Sequence, residues 1–244
     1  MQTSTAFLAS SRLEPAAGVT AKSIVRNCHA EGGSDSGAPS RVAAMNLAAS
    51  MLEHTLVYRA WQAPFAGQKF APVVEHNALH RVRRVLDVAC GPGTNTKYFA
   101  DADYLGIDFN ERYIQDARRR YGRKFVVADV RSYVPAPEDR FDFVLVNSFL
   151  HHLDTKDVLA ILTHLRSYLT EDGHIHMLEL VLPEKPSIAR LLARWDRGKF
   201  ARPLEEWQDI FEGLFEPVVF EPYRLTGLGA TLWNMVYFKG RSRA

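Results

Sequence analysis

The chain has 244 residues, of which 47% are hydrophobic and 24% charged, and its formal net charge is +2. That length suits one α/β domain with additions, and so small a charge argues against nucleic acid or an anionic membrane as partner. No apolar run reaches the ~18–20 residues that cross a bilayer, and the two cysteines, Cys28 and Cys90, make neither a disulfide framework nor a zinc spacing, so a reducing, cytoplasmic setting is expected.

Residues 1–50 are rich in Ala, Ser, Gly and Thr and contain the polar stretch Glu31 to Ser40, which has nothing to bury. They read as a disordered leader. A basic start followed by an apolar core is missing, so no secretory signal is expected, and a transit peptide is the alternative for this acid-poor, Ser-rich start. The globular domain is read as 51–244. Within it, Tyr58, Trp61 and Phe65 recur at helical spacing, which predicts an amphipathic helix, with Pro64 breaking or kinking the segment.

Strands and helices then alternate. Strands are predicted at 84–88, 104–108, 125–129, 142–147 and 174–180. Helices are predicted at 94–100, at 111–121 behind the N-cap Asn110, and at 157–169, where Val158, Ile161, Leu162, Leu165 and Leu169 keep the helical period. Asp172-Gly173 reads as the turn ending that unit. Two more helices, 187–197 and 204–215, precede a hairpin of strands 218–225 and 232–239 around Gly227-Leu228-Gly229. The pattern predicts a doubly wound α/β fold: a seven-stranded, mostly parallel sheet with an antiparallel C-terminal strand.

Chemistry concentrates at the strand ends. The first strand carries Asp87 and runs into Cys90-Gly91-Pro92-Gly93, where two residues without Cβ let the backbone turn sharply beside a ligand. A dinucleotide loop places a third glycine three residues after the second, and here that residue is Thr96. The second strand ends in Asp108, about twenty residues further on, where an acid can accept from ribose hydroxyls. The third ends in Asp129, and the fourth in Asn147 followed by Ser148-Phe149-Leu150-His151-His152.

Four ordered strand-end motifs of this kind resemble those of class I S-adenosylmethionine-dependent methyltransferases of the small-molecule type, over roughly Tyr58 to Gly240. The resemblance implies S-adenosylmethionine as cofactor and a small-molecule acceptor. It implies that Ala89, Gly91 and Gly93 form the turn around the methionyl portion, with the following helix N-terminus favouring its carboxylate. Asp87 would attract the ammonium group, Asp108 the two ribose hydroxyls, and Asp129 the adenine amino group. The Val130 amide would meet a ring nitrogen, Phe109 would flank the adenine face, and Asn147 is a further cofactor-binding candidate. It also implies an N-terminal helix capping the cleft; the alternative is that these aromatics pack against the sheet.

Methyl transfer is an in-line displacement, and a base helps only where the acceptor must lose a proton. His151 and His152 are the candidate catalytic residues; being adjacent, they point apart, so at most one faces the cleft. His174 and His176 alternate on the fifth strand without a further ligand at metal spacing, so no metal site is expected and a core or edge role is. Glu179, ending that strand, could reach the cleft or be paired. Tyr58, Trp61, Trp195, Arg197, Phe200, Arg202 and Trp233 are candidates to line the acceptor pocket. Two alternatives stay open: a non-catalytic cofactor-binding module, and a nicotinamide-dependent oxidoreductase, against which Thr96 and Asp87 both count.

Overall fold

The computed structural model describes residues 65–136, 139–195, 200–227 and 229–243, with Trp195 described by its backbone. The expected leader, Tyr58, Trp61, Arg197 and the Trp195 side chain lie outside the described residues.

The seven strands are β1 (Arg84–Val88), β2 (Asp103–Asp108), β3 (Lys124–Val127), β4 (Phe141–Asn147), β5 (Leu169–Val181), β6 (Phe215–Gly227) and β7 (Ala230–Ser242). They form one sheet in the order β3-β2-β1-β4-β5-β7-β6. β1 to β5 pair in parallel, and β7 runs antiparallel to both β5 and β6. From β1 the chain steps outward one way to β2 and β3, then returns to β4 on the other side. That reversal opens a crevice at the carboxyl ends of β1 and β4, the usual ligand position in open α/β sheets.

Helices α1 (Ala66–Glu75) and α2 (Glu111–Tyr121) cover one face; α3 (Thr155–Arg166) and α5 (Leu204–Leu214) cover the other. Helix α4 (Ile188–Trp195) packs through Ala193 and Leu192 against Leu180, Leu225, Trp233 and Met235. The local signals are ordinary ones. Asn110 Oδ1 accepts from the Arg112 and Tyr113 amides to start α2, and Gly122, left-handed at φ 59°, ends it. Asp154 caps α3, whose buried residues Val158, Ile161, Leu162 and Leu165 are among those read from its period, but the helix ends at Arg166, and Leu169, read as its last turn, opens β5 instead. In α1, Phe70 and Val73 are buried, Phe70 stacking on Tyr98 with ring centroids 4.1 Å apart, and Phe65 meets Trp233 edge-on at 5.2 Å. The described aromatics of this segment thus pack against the body of the domain.

Two local readings near the site also differ. The segment after the glycine turn is a five-residue 3₁₀ helix, Thr94–Tyr98, and not an α-helix to residue 100. Its β-branched threonines and the left-handed Gly93 before it favour a short turn, so the helix-dipole contribution expected for a cofactor carboxylate falls away. Asp172-Gly173 lies inside β5 at a bulge, because the register moves from Phe141–Leu169 to Phe143–His174. A Cβ at Gly173 would stand 2.7 Å from the Phe141 carbonyl, which explains a glycine in mid-strand.

Candidate active site

Among the described residues, two non-glycine residues have left-handed backbone: Ala89, just after β1, at φ 52°, and Ser148, just after β4, at φ 54°. Such conformations cost about 1–3 kcal/mol each and gather at functional sites. Both flank the crevice where the sheet reverses direction.

The glycine turn divides into two tasks. Gly91 is left-handed at φ 54°, and a Cβ there would meet nothing within 4 Å, so space is open above it. Gly93, at φ 75°, faces inward: a Cβ would stand 2.8 Å from the Phe125 ring and 3.1 Å from Ala117. Only Gly91 therefore offers close approach to a ligand, whereas Gly93 serves packing. Asp108, nearly buried, ties the turn to β2. One oxygen accepts from the Gly91 amide at 2.9 Å and the other from the Asn110 amide at 2.8 Å. Each carboxylate oxygen retains a second acceptor direction.

Beside this turn lies a recess of about 220 Å³ lined by Ala89, Asp108, Phe109, Asp129, Phe149 and Leu153, with Val130 and Arg131 on its wall. Phe109 is 75% exposed at its rim, an unusual position for a phenylalanine without a partner surface. Asp129 is held by Arg131, whose Nε and terminal nitrogen both reach it, and these hydrogen bonds keep its carboxyl below the usual range. Arg131 was not anticipated, although it stands two residues from Asp129.

Asp87 is not in that recess. It is fully buried, accepting at Oδ2 from Tyr104 Oη (2.5 Å) and Asn95 Nδ2 (3.1 Å), while Asn95 Oδ1 accepts from Asn147 Nδ2 (3.4 Å). Asp87 Oδ1 and Asn147 Oδ1 are buried without a hydrogen-bond partner, as is Thr96 Oγ1. Orphaned buried acceptors are costly and call for a donor to meet them. An ammonium group at the methionyl end of S-adenosylmethionine is such a donor, so the residues present fit that cofactor. Tyr104 and Asn95 lay outside the expected site, since in sequence Tyr104 is one more apolar strand residue.

The residues after β4 are fixed by a second buried carboxylate. Glu179 Oε1 accepts from the Phe149 (3.0 Å) and Leu150 (2.8 Å) amides, and Oε2 lies 2.7 Å from His151 Nδ1. Burial opposes the charge, but the hydrogen bond from His151, its charge and the two amides outweigh it and hold this carboxyl below the usual range. His151 is thereby 2% exposed and engaged at Nδ1, while His152, with its ring 4.2 Å away, is exposed. Arg202 is also buried. It binds Glu206, the Leu150, Leu153 and Phe200 carbonyls and Thr155, and lies over the Trp207 ring. The expected pocket role of Arg202 gives way to that of an anchor, because its donors are spent on the chain. Trp233 belongs to the core around Leu180 and Met235, and Phe200 remains half-exposed. His176 is buried, hydrogen-bonded to Tyr237 Oη at 2.9 Å and stacked on Phe143, which is the core role expected of it.

Comparison with known proteins agrees with this geometry. A methyltransferase-domain family model matches residues 85–173. The trans-aconitate 2-methyltransferase of Mycobacterium marinum is 31% identical over 57% of this chain and 52% of its own length. The fatty-acid O-methyltransferase of Mycolicibacterium smegmatis is 32% identical over 50% of this chain and 44% of its own. The chain spans about half the length of the curated relatives it matches. Among solved structures, the plantazolicin methyltransferase BpumL, in complex with SAH and a desmethylPZN analog, superposes with a TM-score of 0.58. The identity is 15%, over 78% of this chain and 90% of that one, a likeness of fold.

Proposed function

We propose that this chain, which belongs to the class I S-adenosylmethionine-dependent methyltransferases, transfers a methyl group in line from that cofactor to a small-molecule acceptor. The observation that carries this reading is the pair of buried, unpartnered acceptors, Asp87 Oδ1 and Asn147 Oδ1, in the side-chain cluster linked through Asn95 behind an open glycine turn. The bound cofactor supplies an electrophilic methyl on a sulfonium, so the protein's share is binding, alignment and exclusion of water.

Asp87 and Asn147 hold the ammonium end, and Ala89 and Gly91 leave room for the methionyl chain, with Gly93 packing the turn from beneath. Asp108, steadied by two amides, takes the ribose hydroxyls. Phe109, Val130 and Asp129 enclose the adenine, Asp129 with Arg131 beside it. Where the acceptor must lose a proton, His152 is the base; His151 positions the segment through Glu179. The names of the two curated relatives support a small organic acceptor, and the described residues hold no cluster of metal-ligating side chains. We take residues 51–244 as one catalytic domain, supported by the single sheet that joins its described elements, and place it in the cytoplasm on the strength of its cysteines, Cys90 being a buried free thiol.

Calorimetric titration with S-adenosylhomocysteine, with NAD as control, tests the reading. Binding in the micromolar range, about −8 kcal/mol, with none for NAD, is expected. Asp108→Ala should weaken it at least about tenfold, the loss of one charge-assisted hydrogen bond. Binding of NAD instead would turn the assignment to an oxidoreductase.

A further inference from the structure

Beneath the glycine turn, β1 and β4 each send one polar side chain to Asn95. Its amide is spent at both ends, donating to Asp87 of β1 and accepting from Asn147 of β4. Tyr104 of β2 donates to the same Asp87 oxygen that Asn95 reaches. One side of the Asp87 carboxylate is thus doubly bonded and the other, Oδ1, is bare, although the residue is 0% exposed. Swinging the carboxylate would exchange one orphan for another, so Tyr104 and Asn95 determine which oxygen stays open.

We infer that Tyr104 and Asn95 are positioning residues that couple the charge of Asp87 to cofactor binding, so that arrival of the cofactor's ammonium group expels a proton from Asp87. This rests on the methyltransferase reading above. In the ligand-free protein the proton sits on the bare Oδ1, where it relieves an uncompensated buried charge. When the ammonium enters, the Asp87 O–H bond breaks, the proton leaves to solvent, and the ammonium keeps its own three protons to meet the carboxylate. Two donors on Oδ2 stabilise the ionised form and keep the exchange within reach of neutral pH.

The neighbours are consistent with this. Acting on Asp87 are Asn95 from the 3₁₀ helix, Tyr104 and Asp108 from β2, and Cys90 from the turn itself, with Asn147 of β4 reaching it through Asn95. Burial, the largest influence, lifts the Asp87 carboxyl to about 7; hydrogen bonds from Tyr104 and then Asn95 work downward, and the Asp108 charge works upward. Burial pushes the Tyr104 hydroxyl and the Cys90 thiol up, so both remain neutral where Asp87 changes charge.

The test is calorimetric titration of the full chain with S-adenosylhomocysteine between about pH 6 and 8, in two buffers of different ionisation enthalpy. With a midpoint near 7 in the free protein, affinity should rise about tenfold across that range, with release of about half a proton at pH 7. Asp87→Asn should bind more weakly and lose the slope, which assigns the slope to Asp87. Tyr104→Phe, and independently Asn95→Ala, should move the midpoint upward: affinity falls about 3–10-fold at pH 7, and the gap from wild type closes toward pH 8.5. A merely structural role would weaken binding equally at every pH. The inference is overturned by a wild-type affinity without slope, by a slope that survives in Asp87→Asn, or by uniform weakening in both positioning variants. A folded wild type that binds no S-adenosylhomocysteine at any pH would instead overturn the parent reading, and this inference with it.

Discussion

Glu179 offers a quantitative test of how the segment after β4 is held. Replacing it with alanine strips the Phe149 amide, the Leu150 amide and His151 Nδ1 of their common acceptor, a fully buried carboxylate. Each orphaned donor costs about 1–3 kcal/mol, and removing one partner of a buried ion pair typically costs about 3–5 kcal/mol. The terms share atoms and do not add, so a loss of about 3–5 kcal/mol is expected, a large part of the ~5–15 kcal/mol of a typical domain. Glu179→Gln keeps an acceptor for both amides and should lose about 1–2 kcal/mol. The assay is urea unfolding followed by circular dichroism, comparing midpoints at equal slope. Because the folded carboxyl lies below its ordinary value, its contribution is present above the unfolded pKa of about 4.3 and is lost as pH falls through the folded value. The carboxylate's own share of the gap between wild type and Glu179→Ala should therefore persist from pH 7 to about 5 and be lost only in stronger acid. A gap below about 1 kcal/mol at pH 7 would refute the anchoring role. Phe149 and Leu153 line the recess, so the same variant should also lose cofactor affinity.

Phe109→Ala should leave the melting temperature unchanged, since the ring is largely exposed, but weaken S-adenosylhomocysteine binding about 2–12-fold, the ~0.5–1.5 kcal/mol of a ring contact. Gly93→Ala should destabilise by about 2–4 kcal/mol, combining left-handed strain with the Phe125 and Ala117 contacts; Gly91→Ala should cost only the ~1–2 kcal/mol of strain and chiefly reduce affinity, both read by thermal shift and titration. Once an acceptor is found, His152→Ala should slow a transfer that removes a proton, whereas His151→Ala should act through stability; equal single-turnover rates for His152→Ala and wild type would dismiss His152 as base.

Much of this protein is written locally. Alternating apolar runs and capped helical periods placed the βα units, and each run ended in a polar residue because the strand ends meet the ligand edge of the sheet. The lengths of β5, β6 and β7 were less legible: the hairpin strands extend to residues 215–227 and 230–242, because pairing with a neighbour carries a strand past its apolar stretch. The brevity of the 3₁₀ helix after the turn, and the Gly173 bulge, likewise depended on packing.

Sequence by itself determined the order of elements, the parallel sheet with its antiparallel last strand, and the acids Asp87, Asp108 and Asp129, since periodicity and motif spacing are properties of neighbours in the chain. Tertiary structure alone decided what each acid does. Asp87 lies deep with Tyr104 and Asn95, Asp108 clasps the glycine turn, Asp129 pairs with Arg131, and Glu179 and Arg202 are consumed as anchors. A side chain's charge and role depend on burial and on partners far along the chain, 61 residues away between His176 and Tyr237 and 160 between Asn77 and Tyr237, and those distances exist only once the sheet has closed.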